Sequence, residues 1–460
     1  MKRNNKNIAA MLLMAAAAFV GSSCENDNIN PYEYNNNGSN QNQGSTEVLK
    51  TKIAEYPVGS LVWTKDTTLT ESVEIPVGTS LYIEPGVTVT CKSDVQVPIE
   101  IVVLGNLYCM GTTEHPVTFT SDTKKTEDWG GIICGYNSQE VVLNHVDLAY
   151  AGATPTESSA SFQNHLFKST IDGGVPAFHF CNVNGKFVMA NCFLHDNYND
   201  QTYFTGGQGV IYNCIFADNG NATDGGEAIN VKAGCKLDIA NNIIYNACTN
   251  AFKLSNSGNS ELIPLTQLTA YNNTIVNCGW RRAKNKKGGS VWLEKAIAPT
   301  FVNNLVYDCR YGLKQPKKDG ADIEHSTVAP NYYFASTETG VKQMSKNADM
   351  IIRNDNDIKS SVAGQLNPLL KNFKQSDKMN INCEIDNVQQ GAPLAFDRSW
   401  NFNLQQGSPA LSGGITGIQR IFPTGLAFFG MKKVMFLDNC NDQNYYFAAP
   451  IPTTQFGAAL

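Results

Sequence analysis

Short apolar runs alternate with asparagine-centred turns through the middle of the chain. Five segments share one pattern, in which an apolar stretch is followed by Asn, then Asn or Cys, a hydrophobic pair, and Asp or Asn. They are MANCFLHDN from Met189, IYNCIFADN from Ile211, IANNIIYNAC from Ile239, AYNNTIVNCG from Ala270 and FVNNLVYDCR from Phe301. Runs rich in β-branched residues with period two, interrupted by Asn, predict short strands and turns rather than helices.

The spacing of these segments predicts how the strands are arranged. The first Asn falls at 191, 213, 241, 272 and 303, so the repeats are 22, 28, 31 and 31 residues apart. A coil of three short strands with turns between them needs about 22 residues, and a solenoid accepts longer coils as loop insertions. Asn tolerates the left-handed backbone of a tight turn, and amides stacked about 4.8 Å apart can bond one another. We therefore predict an all-β fold, a single right-handed parallel β-helix solenoid with an N-terminal cap and a C-terminal capping tail.

The ends of the chain differ from this repeat. Residues 1–23 read as a signal peptide, because a basic start is followed by an apolar run too short to span a bilayer. Residues 24–50 are polar and predict a disordered tether. The β-helix is predicted over residues 51–415, and residues 416–460 form the tail that is expected to pack over the last coil.

The end of the signal peptide resembles a bacterial lipobox. Gly21, Ser22 and Ser23 lead into Cys24, which this resemblance identifies as the lipidated residue, although Gly21 stands where Leu is usual. A plain secretory signal is the alternative. The resemblance implies an outer-membrane protein that touches the membrane only through its N-terminal lipid, and the acidic residues after Cys24 favour the cell surface.

The net charge limits the class of binding partner, and the spacing of the cysteines indicates their chemical state. Removing residues 1–23 leaves 32 basic against 41 acidic residues, a formal charge of −9, which argues against a nucleic-acid partner. Apart from Cys24, twelve cysteines are spread singly along the chain and recur at matching repeat positions. We expect mostly free, buried thiols, and a monomer.

Several further segments carry a resemblance to a known family. They are LYIEPGVTVT at 81–90, IVVLGNLYCMGTTEHPVTFTS at 101–121, DWGGIICG at 128–135, LNHVDLAYAG at 143–152 and NFNLQQGSPALSGG at 401–414. The chain thereby resembles bacterial extracellular right-handed parallel β-helix proteins of the pectin-lyase-like type. That superfamily contains polysaccharide lyases and hydrolases, but the Asn-x-Asp, Asp-Asp and Gly-His-Gly set of polygalacturonases is absent here. A fold alone does not license an activity.

One row of outward side chains is the predicted ligand site. A second type of strand, at 177–180, 227–232, 251–255, 290–295 and 311–315, alternates apolar residues with polar or aromatic ones. Stacking of the coils would align its outward members along one face: His179, Asn230, Lys232, Lys253, Trp292 and Lys314. An aromatic beside amides and lysines suits a glycan, so we predict non-catalytic binding of extracellular carbohydrate. A plain solvated sheet face is the alternative.

Two other groups of residues suggest chemistry. Asp196, Asp218 and Asn246 fall at equivalent repeat positions, which suits calcium or a retaining carboxylate pair, but Asx turns explain them equally. Asp224 and Glu227 precede Lys232 and Lys253, an arrangement that would suit a polysaccharide lyase or glycoside hydrolase acting on an acidic glycan. The bland interpretation is a Gly-rich loop with solvated acids. No cofactor is required, and calcium is the one metal these oxygens would suit.

Overall fold

The computed structural model describes residues 56–166, 174–220, 225–282, 288–345, 350–352, 354–376, 394–431 and 445–460. The predicted signal peptide and tether, including Cys24, lie outside these ranges, as does Asp224. The described chain consists mainly of short parallel strands that return to the same three sheets coil after coil. This is the predicted β-helix.

The first sheet contains nine parallel strands, one from each coil. They are β1 (Leu61–Trp63), β4 (Ser80–Ile83), β7 (Asn106–Met110), β10 (Glu140–Asn144), β13 (Lys186–Ala190), β16 (Gly207–Tyr212), β19 (Cys235–Ala240), β22 (Gln267–Tyr271) and β25 (Thr300–Val302). The strand-rich start of the chain is itself the first coil, since β1 already pairs with β4.

The second sheet contains eleven strands and extends beyond the other two. They are β2 (Thr67–Leu69), β5 (Thr88–Cys91), β8 (Val117–Ser121), β11 (Val146–Ala149), β14 (Phe193–His195), β17 (Ile215–Ala217), β20 (Ile243–Tyr245), β23 (Thr274–Val276), β26 (Leu305–Tyr307), β28 (Tyr332–Phe334) and β29 (Ile358–Lys359). The last two lie in the part of the sequence where the repeat is interrupted.

The third sheet again contains nine strands. They are β3 (Val73–Ile75), β6 (Glu100–Val103), β9 (Gly131–Cys134), β12 (Phe178–Phe180), β15 (Thr202–Phe204), β18 (Ile229–Val231), β21 (Asn250–Ser255), β24 (Gly289–Glu294) and β27 (Leu313–Lys314). Outside the three sheets, the described residues contain two α-helices, α1 (Ala160–Gln163) and α2 (Glu338–Ser345). They also contain two antiparallel pairs, β30 (Leu370–Asn372) with β31 (Asn401–Leu404) and β32 (Leu426–Phe428) with β33 (Tyr445–Phe447). Neither of these two described helices is long and apolar enough to cross a membrane.

The alternation predicted for the third sheet is confirmed. Its apolar members point into the solenoid, where each is at most 1% exposed: Phe178, Phe180, Ile229, Val231, Phe252, Leu254, Val291, Leu293 and Leu313. The ten cysteines that the structure describes are also buried, as expected of small apolar side chains in a stacked interior.

The asparagine turns stack as the spacing predicts. The first Asn of each repeat has a positive φ, between 51° and 58° at positions 191, 213, 241, 272 and 303. The Asn241 amide donates to Asn213 Oδ1 over 2.7 Å, and the Asn213 amide donates to Asn191 Oδ1 over 3.2 Å. These two bonds place the turns on consecutive rungs.

A second amide column runs inside the first and is completely buried. The amides of Asn242, Asn273 and Asn304 each donate to the side-chain oxygen of the next residue in the column, which ends at Asn331, over 2.9 to 3.0 Å. The backbone N–H groups of the same three residues donate to these oxygens as well. Each amide therefore replaces the hydrogen bonds with water that its burial removes.

Segments from outside the repeat cover the first and second sheets. The tail packs along the outer face of the first sheet, and its final residues contact the last coils, where Phe456 packs on Tyr332. The backbone N–H groups of Ile421 and Phe422 donate to Asp238 over 2.8 and 2.7 Å. The tail thus follows the side of the solenoid in addition to meeting its end.

Candidate functional site

The outward residues of the third sheet form one continuous column in the strand register. This third-sheet column comprises Glu74, Val102, Ile133, His179, Tyr203, Asn230, Lys253, Trp292 and Lys314. Five of the six predicted ligand residues lie in it, in the predicted order. The sixth, Lys232, lies two residues beyond Asn230 on the same face of the strand.

The exposure of this row differs from the prediction. We expected a solvent-lined face, yet His179, Asn230, Lys232 and Lys314 are only 3 to 4% exposed. Lys253 and Trp292 are the predicted members that stay half-buried. Long side chains on adjacent coils, about 4.8 Å apart, cover one another, and a period-two pattern carries no information about that.

Tyr203 is a member of the column that sequence reasoning missed. It pairs with His179 on one side and Asn230 on the other, and it is half-buried. The Lys232 ammonium lies 5.5 Å from its ring centroid. Each coil must supply one strand to the third sheet, so the coil between Asn191 and Asn213 had to contain one. The segment QTYF at 201–204 was the available signal.

A carboxylate lies between the two central lysines. Glu294 Oε1 is 4.0 Å from the Lys232 ammonium and 3.9 Å from that of Lys253. The Trp292 indole N–H donates to Glu294 Oε2 over 2.8 Å. Burial acts to lower the pKa of Lys253, but the charges of Glu227, Glu294 and Asp200 raise it overall. Lys253 is therefore a fixed positive charge at neutral pH.

A buried acid pair lies at the amino end of these strands. Asp200 Oδ1 accepts the backbone N–H of Glu227 over 2.8 Å, and Asp200 Oδ2 accepts the Asn230 amide over 2.8 Å. Burial, followed by the charge of Asp200, raises the pKa of Glu227 to about 7. Among the described residues, Asn230 Oδ1 and Asn250 Oδ1 have no hydrogen-bond partner although both atoms are buried. Each of these two oxygens could still accept a hydrogen bond.

The far end of the column is basic and aromatic. The Lys314 ammonium lies 3.8 Å from the ring centroid of Tyr311 and 5.6 Å from that of Trp292. Burial, together with the charge of Arg310, lowers the pKa of Lys314 to about 7. A lysine that is partly neutral near physiological pH can act as a base, which Lys253 cannot.

A cleft adjoins the column at the carboxyl ends of the strands. It has a volume of about 420 Å³ and is lined by His179 and Lys232, by the polar Asn182, Asn184 and Thr205, and by apolar side chains such as Tyr136 and Ile263. His179 Nε2 lies 3.3 Å from the Thr205 hydroxyl, and burial lowers the pKa of His179 to about 4. The imidazole is therefore neutral at physiological pH and can exchange hydrogen bonds with a ligand.

The residues suggested for a metal or a carboxylate pair lie elsewhere, at the second row of turns. Asp196, Asp218 and Asn246 all have positive φ, between 50° and 54°. The Asn246 amide donates to Asp218, whose other oxygen accepts the backbone N–H of Phe396. Asp196 instead contacts His195. Within the described residues, no group of three or more His, Cys, Asp or Glu side chains could hold a metal ion.

Comparison with known families agrees with this geometry. Residues 57–164 match the model of a pectate-lyase-like β-helix domain, and residues 130–357 match that of a right-handed β-helix region.

The chain belongs to the right-handed β-helix family.

The two matches together span the coils that carry the column from Val102 to Lys314, so this right-handed β-helix has its candidate site inside the family fold. No curated protein and no solved structure gives a significant match. The pectate-lyase-like fold supports a carbohydrate-related role, and any finer statement has to come from the site itself.

Proposed function

We propose that this β-helix protein binds extracellular carbohydrate on the outer face of its third sheet, without turnover. The observation that carries the proposal is the column itself, in which Tyr203, Lys253 and Trp292 lie on successive or neighbouring strands and are half-buried. Aromatic rings can pack on the apolar faces of sugars, while ammonium and amide groups bond hydroxyl or carboxylate oxygens. Because the column presents one side chain per strand, successive side chains could contact successive sugars of a glycan.

The cellular setting completes the proposal. Lipidation at Cys24 would attach the protein to the outer membrane, with residues 24–50 as a tether and the β-helix at the cell surface. A monomer is sufficient, because the whole column lies in one chain. Radiolabelled fatty acid that is incorporated by the wild type and not by Cys24→Ala would support this setting, and equal incorporation would contradict it.

The binding experiment compares column variants with matched surface variants. Titration of neutral and acidic oligosaccharides by calorimetry should reveal binding that Trp292→Ala and Lys253→Ala each weaken about tenfold, equivalent to about 1.4 kcal/mol. Tyr446→Ala and Lys236→Ala are the controls, because both residues are exposed and lie off the column. Binding that all four variants retain, or no binding by the wild type, would contradict the proposal.

Catalysis on the same face is the second candidate, and the pKa values near 7 of Glu227 and Lys314 favour it. In a lyase, a base would take the proton next to a uronate carboxylate, the bond to the leaving oxygen would break, and an acid would donate a proton to that oxygen. Glu227 and Lys314 belong to coils three strands apart, about 14 Å, so each would act at a different linkage, with water as its proton-transfer partner. Lys253, held charged, suits substrate binding better than the base role. Asp224 and Lys232 are the other residues that the sequence predicts for such a catalytic group.

Product analysis separates the two candidates. New reducing ends or unsaturated sugars that are lost in Glu227→Gln and Lys314→Met, while affinity remains, would establish an enzyme. Binding without any product, in the wild type as in both variants, would support the non-catalytic proposal.

A further inference from the structure

A second cleft lies on a different wall of the solenoid, over the second sheet. Its floor is formed by Phe193, Ile215 and Ile243, which are register partners on β14, β17 and β20. Its other wall is the strap, residues 394–404, which crosses these strands. The volume is about 500 Å³. That value lies within the range of about 300–1,000 Å³ typical of ligand sites.

The strap is held in place by specific contacts. The Tyr245 hydroxyl donates to Leu394 O over 2.7 Å, and the Phe396 N–H donates to Asp218 over 2.6 Å. Trp400 packs edge-on against Tyr245, with ring centroids 5.3 Å apart. Since its wall is anchored at several points, the cleft is preorganised, and a ligand would not have to order it.

The lining combines half-buried aromatic faces with polar groups at the rim. Phe193, Phe396 and Trp400 each keep part of their surface exposed, and Ser399 and Asn401 are exposed beside them. A ligand that matches this lining has flat apolar patches and hydroxyl groups at its edge. Pyranose rings have both features.

The charges around the cleft are balanced. Arg398 lies with its guanidinium carbon 4.4 Å from the Phe193 ring centroid and donates to Asp147 over 2.6 Å. His195 contacts Asp147 over 2.9 Å and Asp196 over 2.7 Å. Arg398 is the one charged side chain among the described residues that line the cleft, and its ion pair with Asp147 leaves no unpaired positive charge in that lining to attract an anion.

We propose that this cleft is a second carbohydrate site, and that it takes uncharged sugars. It shares no lining residue with the third-sheet column and lies on a different sheet, so the protein would engage two glycan segments at once. Binding at two sites on one rigid body raises the apparent affinity for a polymer well above that of either site.

The test uses the full chain and neutral tetrasaccharides of glucose, mannose, xylose and N-acetylglucosamine, with an oligogalacturonate for comparison. At least one neutral sugar should bind, and Trp400→Ala should weaken it about tenfold, or about 1.4 kcal/mol. Asn401→Ala removes an exposed amide, whose oxygen accepts the backbone N–H of Asn403 over 2.9 Å, and should weaken binding a few-fold with an unchanged far-UV circular dichroism spectrum. Asn356→Ala, an exposed amide on another turn, is the matched control.

Variants of the two sites make the outcomes distinguishable. Ser399→Trp places a bulky side chain at the rim and should block binding of the neutral sugar, whereas Trp292→Ala should leave it intact. The inference is overturned if no neutral sugar binds. It is equally overturned if Asn401→Ala and Ser399→Trp bind like the wild type. A loss of neutral-sugar binding in Trp292→Ala alone would place that sugar on the third-sheet column instead.

Discussion

The outer faces of the first and third sheets have the same strand arrangement but differ in the residues that they present and in what packs over them. Each carries a column of nine outward residues, one per coil. The first-sheet column comprises Val62, Tyr82, Tyr108, Val142, Val188, Val210, Asp238, Thr269 and Thr300. It is apolar or aromatic from Val62 to Val210, and apolar residues of the tail such as Leu426 and Phe428 pack over it. The third-sheet column begins with Glu74, is apolar at Val102 and Ile133, and is polar from His179 onward except for the aromatic Tyr203 and Trp292.

The covering of each face follows the chemistry of its column. Val102 and Ile133 are covered by an apolar cluster with Leu166 and Val175, next to α1. From His179 onward the third-sheet column has no place in the apolar clusters of the described residues. Burying apolar area stabilises the fold by about 25 cal/mol per Å², so an apolar column recruits a cover. A polar column gains little from such a cover, and Tyr203, Lys253 and Trp292 keep part of their surface available for a ligand.

A charge placed in the first-sheet column should have the largest effect. Val188 is 1% exposed beneath the tail, so Val188→Asp would bury an unpaired carboxylate and should cost about 3 to 5 kcal/mol. Lys236→Asp is the control, since Lys236 is exposed on the same sheet, and it should change stability by no more than about 0.5 kcal/mol. Urea unfolding followed by circular dichroism measures both. Similar midpoints for the two variants would show that the tail does not seal the face.

Two adjacent phenylalanines of the tail test the cover itself. Phe428 is 0% exposed and packs on Phe447, whereas Phe429 is 63% exposed. Phe428→Ala should cost about 3 kcal/mol, because it opens a cavity over the first-sheet column. Phe429→Ala should cost less than about 1 kcal/mol. Equal shifts of the urea midpoint in the two variants would mean that packing over the column contributes little.

The register of both columns could be predicted from the sequence, but their covers could not. Asn turns fix where each strand ends, and alternation then fixes which side chains face outward, which is why the order of His179, Asn230, Lys253 and Trp292 was correct. The described segments that cover the first and second sheets, at 426–431, 445–449 and 394–404, contact coils up to 348 residues away in sequence. No repeat encodes such contacts.

The prediction that the ligand residues are exposed to solvent was wrong for a related reason. Lys314 and His179 were assigned to the outside, and they do point outward, yet each is only 3% exposed. Whether an outward side chain meets water depends on neighbours above and below it and on insertions of irregular length. The strand that carries Tyr203 was missed because its coil spans the shortest step between the five Asn-marked segments and contains no long alternating run.

The pKa values of His179 and His195 are shifted in opposite directions, so the two histidines should make stability depend on pH in opposite ways. Burial lowers the pKa of His179 to about 4, so stability should fall by about 3 kcal/mol as the pH drops from 6.5, the ordinary pKa of histidine, towards 4. Burial also acts to lower the pKa of His195, but hydrogen bonds to Asp147 and Asp196 raise it overall. Its contribution is present below 6.5 and should be lost as the pH rises through the raised pKa.

The matched variants separate these two slopes. His179→Gln should flatten the acid side of a plot of urea midpoint against pH, whereas His195→Gln should flatten the alkaline side. If both variants follow the wild type throughout, the electrostatic surroundings of the two histidines are not those of the structure.

Among the variants designed to test the two columns, Trp292→Ala should have the smallest effect on stability and a large effect on binding. Trp292 is half-buried, and no described apolar cluster includes it, so Trp292→Ala should cost about 1 kcal/mol, well below Phe428→Ala. The same variant should lose most of its affinity for carbohydrate. If the third-sheet column is a binding face, its half-buried aromatic residues should contribute little to folding and much to binding. If Trp292→Ala instead destabilised the protein as much as Phe428→Ala, the third-sheet column would be a structural face like the first, and its aromatic and lysine residues would need no ligand to explain them.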